Sequence, residues 1–278
     1  MNDQSLCIAF QGEPGAYSQQ AVFQHFGAGI ETLPCHSFSE IFTAVRNGRA
    51  SHGMLPVENS LAGTVIPAND LLVDHDLRVQ GEAVLRVEHC LMAPAGTELA
   101  DLTRVKSHHQ ALAQCEQTLK RMRITPIDYY DTAGAARDLA ANPEPETAAI
   151  ASELAAESYN LNILARNIED LDFNYTRFFV LGRLDPPRQD PSKTSIIFTT
   201  RHVPGALHAV MGELATRGIN LTKIESRPRR NRPWHYLFYV DFLGHEDDDD
   251  VRAAMLGILK RASFLKVLGS YPAAETPV

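Results

Sequence analysis

Short apolar runs closed by glycine, proline or polar clusters recur along the chain, and a stretch with helical periodicity follows most of them. Residues 6–10 read as a strand, and the turn Gln11-Gly12-Glu13-Pro14-Gly15-Ala16-Tyr17-Ser18 leads into a helix ending near Phe26. Ser37-Phe38-Ser39-Glu40 has the form of a capping box and predicts a helix to about Asn47. The apolar stretch from Gly53 enters a sheet and ends in Glu58, Asn59 and Ser60, with a helix beginning near Val65. Further strands are expected over 79–85, 88–92, 104–107, 124–129 and 148–151. Helices are expected over 110–122, behind Asp131-Thr132, and over 152–160. Residues 178–181 are an unbroken apolar run bounded by Gly182, which suits a strand covered on both faces.

Repetition of strand then helix predicts parallel sheets with helices on both faces. Strands near 80–92, lying between two such blocks, divide this part into two α/β lobes around a cleft. Leu184-Asp185-Pro186-Pro187-Arg188-Gln189-Asp190-Pro191-Ser192 holds three prolines, which stop helix and central strand alike, and reads as a linker. Beyond it the pattern is strand 194–200, helix 204–217, strands 221–227 and 234–242, helix 248–261 and strand 264–268. That order is the ferredoxin-like βαββαβ unit. The expected organisation is a two-lobed α/β domain over 5–183, a linker over 184–192 and a ferredoxin-like domain over 193–272.

The length of 278 residues suits about two domains, and 44% apolar with 22% charged content is ordinary for a soluble globular protein. A formal charge of -8 argues against a nucleic-acid or membrane surface, which would want a basic face, but leaves room for a small anionic ligand. Part of that charge is the run from Glu246 to Asp250, which reads as a solvated helix start. Cys7, Cys35, Cys90 and Cys115 have no paired spacing and read as reduced, buried thiols. No export signal opens the chain and no apolar run is long enough to span a bilayer, so a cytoplasmic location is expected.

Polar residues at strand ends are the candidates for chemistry, because neighbouring strand–helix loops of an open sheet converge on one crevice. Thr176 and Arg177 precede the apolar run at 178–181. They either face a ligand or serve the fold, Arg177 then pairing with an acid such as Asp170 or Asp172. Asn59 or Ser60 would otherwise cap the helix near Val65. Ser107-His108-His109-Gln110 marks another junction, with Gln114 one helical turn beyond Gln110. The two histidines do not suggest a metal site, since no third ligand has a useful spacing and neighbours on an extended segment point apart. The turn at 11–18 exposes backbone N–H groups but is not a phosphate loop.

In order along nearly the whole chain, these pieces resemble prephenate dehydratase in its monofunctional form, with a C-terminal ACT regulatory domain. The resemblance rests on Gly12-Glu13-Pro14-Gly15-Ala16-Tyr17-Ser18, Leu55-Pro56-Val57-Glu58-Asn59-Ser60, Ser107-His108-His109-Gln110 with Gln114, and Asn174-Tyr175-Thr176-Arg177-Phe178. In the last part it rests on Gly205-Ala206-Leu207 and Glu225-Ser226-Arg227-Pro228. His109 stands where the family often has proline, and Asp131 where an enteric relative has glutamate. No chorismate mutase segment precedes the first strand, so the chain is not expected to make prephenate itself.

The resemblance implies a periplasmic-binding-protein-like cleft and the conversion of prephenate to phenylpyruvate, CO2 and water in phenylalanine biosynthesis, with neither metal nor other cofactor. Thr176, Glu58, Asn59 and Gln114 would be catalytic, and Arg177, Ser60, Ser107, Phe178, Tyr17 and Ser18 would bind substrate. L-Phenylalanine would inhibit through Gly205, Ala206, Leu207, Asn220, Glu225, Ser226, Arg227 and Pro228 at a subunit interface of a homodimer or homotetramer. Arogenate dehydratase is the alternative within the enzyme class. An amino-acid-binding sensor without catalysis is the alternative outside it.

Overall fold

A computed structural model describes residues 6–229 and 235–275. By compactness the chain forms one unit from Met1–Ala68 with Ala83–Phe178, and a second from Asn69–Glu82 with Phe179–Val278.

The elements up to Gly182, of which α3, β5 and β11 run across the division between the units, begin with β1 (Cys7–Gln11), α1 (Tyr17–Phe26), β2 (Glu31–Cys35), α2 (Phe38–Arg46), β3 (His52–Asn59), β4 (Gly63–Thr64) and α3 (Ile66–Asp74). β5 (Arg78–Arg86), β6 (Cys90–Ala93), β7 (Arg104–His108), α4 (His109–Gln114), α5 (Glu116–Met122), β8 (Thr125–Tyr129) and α6 (Thr132–Ala141) come next. β9 (Thr147–Ala151), α7 (Glu153–Tyr159), β10 (Asn162–Ala165) and β11 (Tyr175–Gly182) complete the series.

One sheet has the order β2-β1-β3-β11-β5 with β4 on β3, and the other the order β10-β6-β9-β7-β8. The pairs β1–β2, β1–β3, β7–β8 and β7–β9 are parallel, as repeated strand–helix units require. β6–β9 and β10–β6 are antiparallel, so the expectation of purely parallel sheets is corrected to mixed ones. The reason is that the chain crosses between lobes twice, through 87–89 and 166–174, and enters the second sheet against the direction of its helix-linked strands. The crossovers touch, with the Val87 amide donating to Asn174 and the Ile168 amide to His89.

Ser37 accepts from the Glu40 amide at 3.3 Å as the capping box predicts, and the Glu40 carboxylate accepts from the His36 amide at 2.9 Å, one residue before the cap. β2 was not foreseen, because it is five residues long and contains Pro34. As an edge strand it can spare that N–H. The helix expected over 110–122 breaks at Cys115 (φ -113°), where the Asp170 carboxylate accepts from the Gln117 and Thr118 amides and so caps a second helix. Asp170 is thus committed to a helix start, and is not the partner considered for Arg177.

The second unit contains β12 (Ser192–Thr200), α8 (Ala206–Ala215), β13 (Leu221–Pro228), β14 (Tyr236–Leu243), α9 (Asp249–Arg261) and β15 (Ala262–Pro272). Its sheet order, β13-β14-β12-β15, is antiparallel and ferredoxin-like, with Ile196, Phe198, Val210, Leu214, Val240, Phe242 and Ile258 buried against the two helices. Trp234, where the strand over 234–242 was expected to begin, lies outside the described residues, as does Ser5. The segment Asn69–Glu82 belongs to this unit through specific bonds. Arg227 pairs with Asp70 at 2.6 Å, Lys193 with Glu82 at 2.6 Å, and the Lys266 ammonium donates to the carbonyls of Val73 and His75. A boundary in the proline-rich stretch alone therefore misses these residues, whose attachment depends on contacts remote in sequence.

Candidate active site

Within the first unit the two lobes enclose a cavity of about 430 Å³, in the range usual for small-ligand sites. On β11 strand alternation decides which residues reach it. Thr176 and Phe178 of β11 line it, and so does Asn59 at the end of β3. Their neighbours Arg177 and Glu58 do not line it and approach each other instead, at 3.8 Å. Arg177, expected to contact substrate, alternates with Thr176 and Phe178 on β11, and neither it nor Glu58, expected to be catalytic, is among the lining residues.

The loop Gly12–Gly15, between the lining residues Gln11 and Tyr17, docks on the second lobe. Ser152 donates to the Gly15 carbonyl at 2.5 Å and Tyr159 to the Pro14 carbonyl at 2.8 Å. Gly15 has φ +86°, and an added Cβ would lie 2.6 Å from the Ala155 Cα, so only glycine fits this approach. The first residues of four helices then face the cavity: Tyr17 and Ser18 of α1, Phe38 of α2, Ile66 and Pro67 of α3, and Thr132 of α6. Ala16, at the N-cap of α1, offers no side-chain cap, so the leading N–H groups of that helix keep their affinity for an anion.

The hydrogen bonds of the polar lining form one connected chain. Asn59 Oδ1 accepts from the amides of Leu61 and Ala62, and its Nδ2 reaches Thr176 Oγ1 at 3.0 Å and Asn174 Oδ1 at 2.8 Å. Asn174 Nδ2 donates to Gln114 Oε1 at 2.9 Å, and His89 Nε2 lies 2.8 Å from the same oxygen. His89 Nδ1 is 2.7 Å from the Tyr17 hydroxyl, which is also 3.0 Å from the Glu88 carbonyl. Burial pushes the His89 imidazole below its ordinary range, against the opposing pull of Gln114 and Glu169. His108 is lowered too, by burial and then by His109. Among the described lining residues there is no lysine, arginine, aspartate or glutamate, and both histidines are neutral at pH 7.

Of the expected site residues, Thr176, Asn59, Gln114, Phe178, Tyr17 and Ser18 come together around this cavity. The Tyr17 hydroxyl, however, turns to His89 and Glu88. Ser60 and Ser107 do not line the cavity. Ser60 straps the chain by donating to the Phe173 carbonyl and accepting from the Tyr175 amide. Ser107 is fully buried and donates to the Ile150 carbonyl at 2.6 Å, so its hydroxyl is spent inside the second sheet. His89 and Asn174 were given no role from sequence. Asn174 stands in a quoted motif, but nothing local distinguishes His89 from an ordinary core histidine. Among the described residues, no three His, Cys, Asp or Glu side chains form a metal-holding group, and no helix is long and apolar enough to cross a membrane.

The second unit has its own cavity of about 380 Å³, lined by Gly205, Ala206 and Leu207 with Arg201, His202, His235, Tyr236 and Phe238. Asn220 precedes β13, and Glu225, Ser226, Arg227 and Pro228 lie on this edge strand and do not line the cavity, although Ser226 and Pro228 pair with the lining residues Phe238 and Tyr236. Arg227 is held by Asp70.

Comparison with known proteins bears on both units. Residues 8–186 match the family model described as prephenate dehydratase, and residues 194–259 the ACT domain. The chain is 42% identical to arogenate dehydratase/prephenate dehydratase 2 of Arabidopsis thaliana, over 99% of this chain and 75% of the relative. A prephenate dehydratase from Arthrobacter aurescens solved in complex with L-Phe is 32% identical with a TM-score of 0.89, covering 96% of this chain and 90% of that one. GqqA, described as a novel type of quorum quenching acylase, is 39% identical with a TM-score of 0.89, covering 96% and 98%. With the dehydratase match running through every strand that bears the cavity, the chain belongs to the prephenate dehydratase family, decarboxylating lyases, and carries a C-terminal ACT domain.

Proposed function

We propose that the cavity binds prephenate and releases phenylpyruvate, CO2 and water. One observation carries the reading: the Thr176 hydroxyl lines the cavity beside Asn59 Nδ2, a donor that cannot accept its proton, so that proton is available to a ligand in the cavity. In the reaction the C–C bond to the ring carboxylate breaks, and its electron pair enters the ring and becomes part of the aromatic system. The C–O bond to the ring hydroxyl breaks with it, and the departing oxygen takes up a proton to leave as water. Thr176 is too weak an acid to supply that proton outright, so it acts as a hydrogen-bond donor to the oxygen as charge develops. Gln114, Ser18 and the uncapped start of α1 meet the carboxylates with neutral donors.

Absence of a carboxylate among the described lining residues favours the pyruvyl side chain of prephenate over the ammonium-bearing one of arogenate. The acylase activity of GqqA is acyl transfer, which calls for a nucleophile activated by a base. Among the described lining hydroxyls, those of Ser18, Thr64, Thr132 and Thr176 have no bond to a histidine, and His89 is engaged at both nitrogens. Purified protein is mixed with prephenate or arogenate at neutral pH, and product is read by the absorbance of phenylpyruvate in alkali or as phenylalanine. The expected outcome is turnover with a larger kcat/KM on prephenate; no turnover of either sinks the reading.

L-Phenylalanine is the effector, supported by the ACT match and by the L-Phe complex of the Arthrobacter aurescens relative. It occupies the cavity at Gly205–Leu207, completed by Glu225 and Ser226 on the edge strand of a second copy in a homodimer or homotetramer. Titration of activity with phenylalanine should show inhibition in wild type and a weaker response in Ser226→Ala. Equal insensitivity in both removes the claim.

A further inference from the structure

We propose that His89 and Asn174, one on each crossover between the lobes, are positioning residues that fix which way the Gln114 amide and the Thr176 hydroxyl point. The proposal rests on the dehydratase reading of the cavity. Its starting point is a pair of bonds whose direction is fixed. The backbone amides of Leu61 and Ala62 can only donate, so the Asn59 atom they reach is the oxygen, and its N–H2 faces the other way. From there every direction follows. Asn59 donates to Asn174 Oδ1, so Asn174 presents N–H2 to Gln114, and the Gln114 atom it meets must accept. His89 reaches the same Gln114 oxygen and therefore carries its proton on Nε2. Its Nδ1 is then the acceptor, and the single Tyr17 proton goes to it at 2.7 Å in preference to the Glu88 carbonyl at 3.0 Å.

Two consequences face the ligand. Gln114 Oε1 is held by two donors from the two crossovers, so its N–H2 is turned to the cavity; rotation by a half turn would set N–H groups against N–H groups. Asn59 Nδ2 also reaches Thr176 Oγ1 at 3.0 Å and, being a donor, cannot take the hydroxyl proton, which is left for another acceptor. Both crossover residues are almost fully buried, at 2% and 1% exposure, which keeps water from substituting for either donor. An anion in the cavity thus meets N–H and O–H, with the carbonyl ends turned away.

The test compares kcat and KM on prephenate for His89→Leu and His89→Gln alongside wild type, with Tm recorded for each. Leucine removes the Nε2 donor, whereas glutamine restores an N–H2 near it. The expected result is a fall in kcat/KM of about tenfold for His89→Leu, since Gln114 Oε1 keeps only Asn174 as donor and the Tyr17 hydroxyl loses its histidine partner. His89→Gln should recover to within about threefold of wild type. Equal values for the two variants overturn the proposal, whether both stay active or both fall. If the leucine variant does not fold, Asn174→Asp puts the same question, since its carboxylate oxygen opposite Gln114 Oε1 forces the amide to turn. Its kcat/KM should then fall through a raised KM, and an unchanged KM overturns the proposal. Wild-type turnover of prephenate, measured in the same series, separates failure of this inference from failure of the dehydratase reading.

Discussion

Replacing Thr176 by alanine removes one hydroxyl and one methyl from β11. The hydroxyl oxygen accepts from Asn59 Nδ2, which has three acceptors in reach for two protons: Asn174 Oδ1, the Tyr175 carbonyl and Thr176 Oγ1. Asn59 therefore keeps partners, and the cost to folding is about 1 kcal/mol against a typical stability of roughly 5–15 kcal/mol. The cost to catalysis is larger. The lost proton is the one aimed into the cavity, and removal of a preorganised donor of this kind costs roughly 3–4 kcal/mol in the transition state. At about 1.36 kcal/mol per factor of ten, kcat should fall roughly a hundredfold to a thousandfold while KM moves little. Thr176→Ser keeps the hydroxyl and should retain most of the activity. The assay is initial-rate formation of phenylpyruvate across a range of prephenate concentrations, with circular dichroism to confirm the fold. A Thr176→Ala enzyme whose kcat stays within about threefold of wild type would refute the assignment.

Three further outcomes are expected. Arg177→Met, on the face opposite the cavity, should lower Tm and leave KM for prephenate within about twofold; a large rise in KM at unchanged Tm would place the guanidinium in the site after all. Gly15→Ala should destabilise by several kcal/mol in urea unfolding, because it combines φ +86° with a 2.6 Å approach to Ala155, and an unchanged midpoint would contradict that packing. Burial holds His25, His89 and His108 below the ordinary histidine value of 6.5. Folding thus keeps them neutral where the unfolded chain binds protons, so stability is complete above pH 6.5 and declines as pH drops toward their lowered values. Tm measured from pH 7.5 to 5 should fall, and fall less in His89→Gln, whereas a Tm that rises on acidification reverses the sign.

Local pattern made most of the fold legible because most of its elements are set by local terms: apolar runs for the central strands, Ser37 and Asp131 as caps, prolines in the stretch before β12. What escaped was set at a distance. The break at Cys115 needs Asp170, more than fifty positions away, and the docking of Asn69–Glu82 needs Arg227, Lys193 and Lys266. In the site, motif reading gathered the right segments but not the facing of each side chain. Arg177 stands between two cavity residues in sequence and turns from them by strand alternation, and Glu58 stands beside Asn59 without lining the cavity. Ser107 fell the other way for the same reason. His89 is a lone histidine in a strand-rich stretch, and only its geometry to Tyr17 and Gln114 marks it.

The charge balance of the cavity can be understood from the order of events in the reaction. A substrate with two carboxylates enters a site whose described lining holds no cationic side chain and two neutral histidines. An arginine laid on the ring carboxylate would bind it most strongly before its bond to the ring breaks, since the charge leaves that group as CO2 forms. Such an ion pair would deepen the ground state and raise the barrier. Helix starts carry only about half a unit charge each, and amide or hydroxyl donors none, so they orient the dianion without a strong claim on the group that departs. The Thr176 hydroxyl works in the opposite sense, because the oxygen it faces gains negative charge as the C–O bond lengthens. In the proposed mechanism binding is thus weakest where charge is lost and strongest where it appears, and a guanidinium off the cavity lining, as that of Arg177 is, fits this asymmetry.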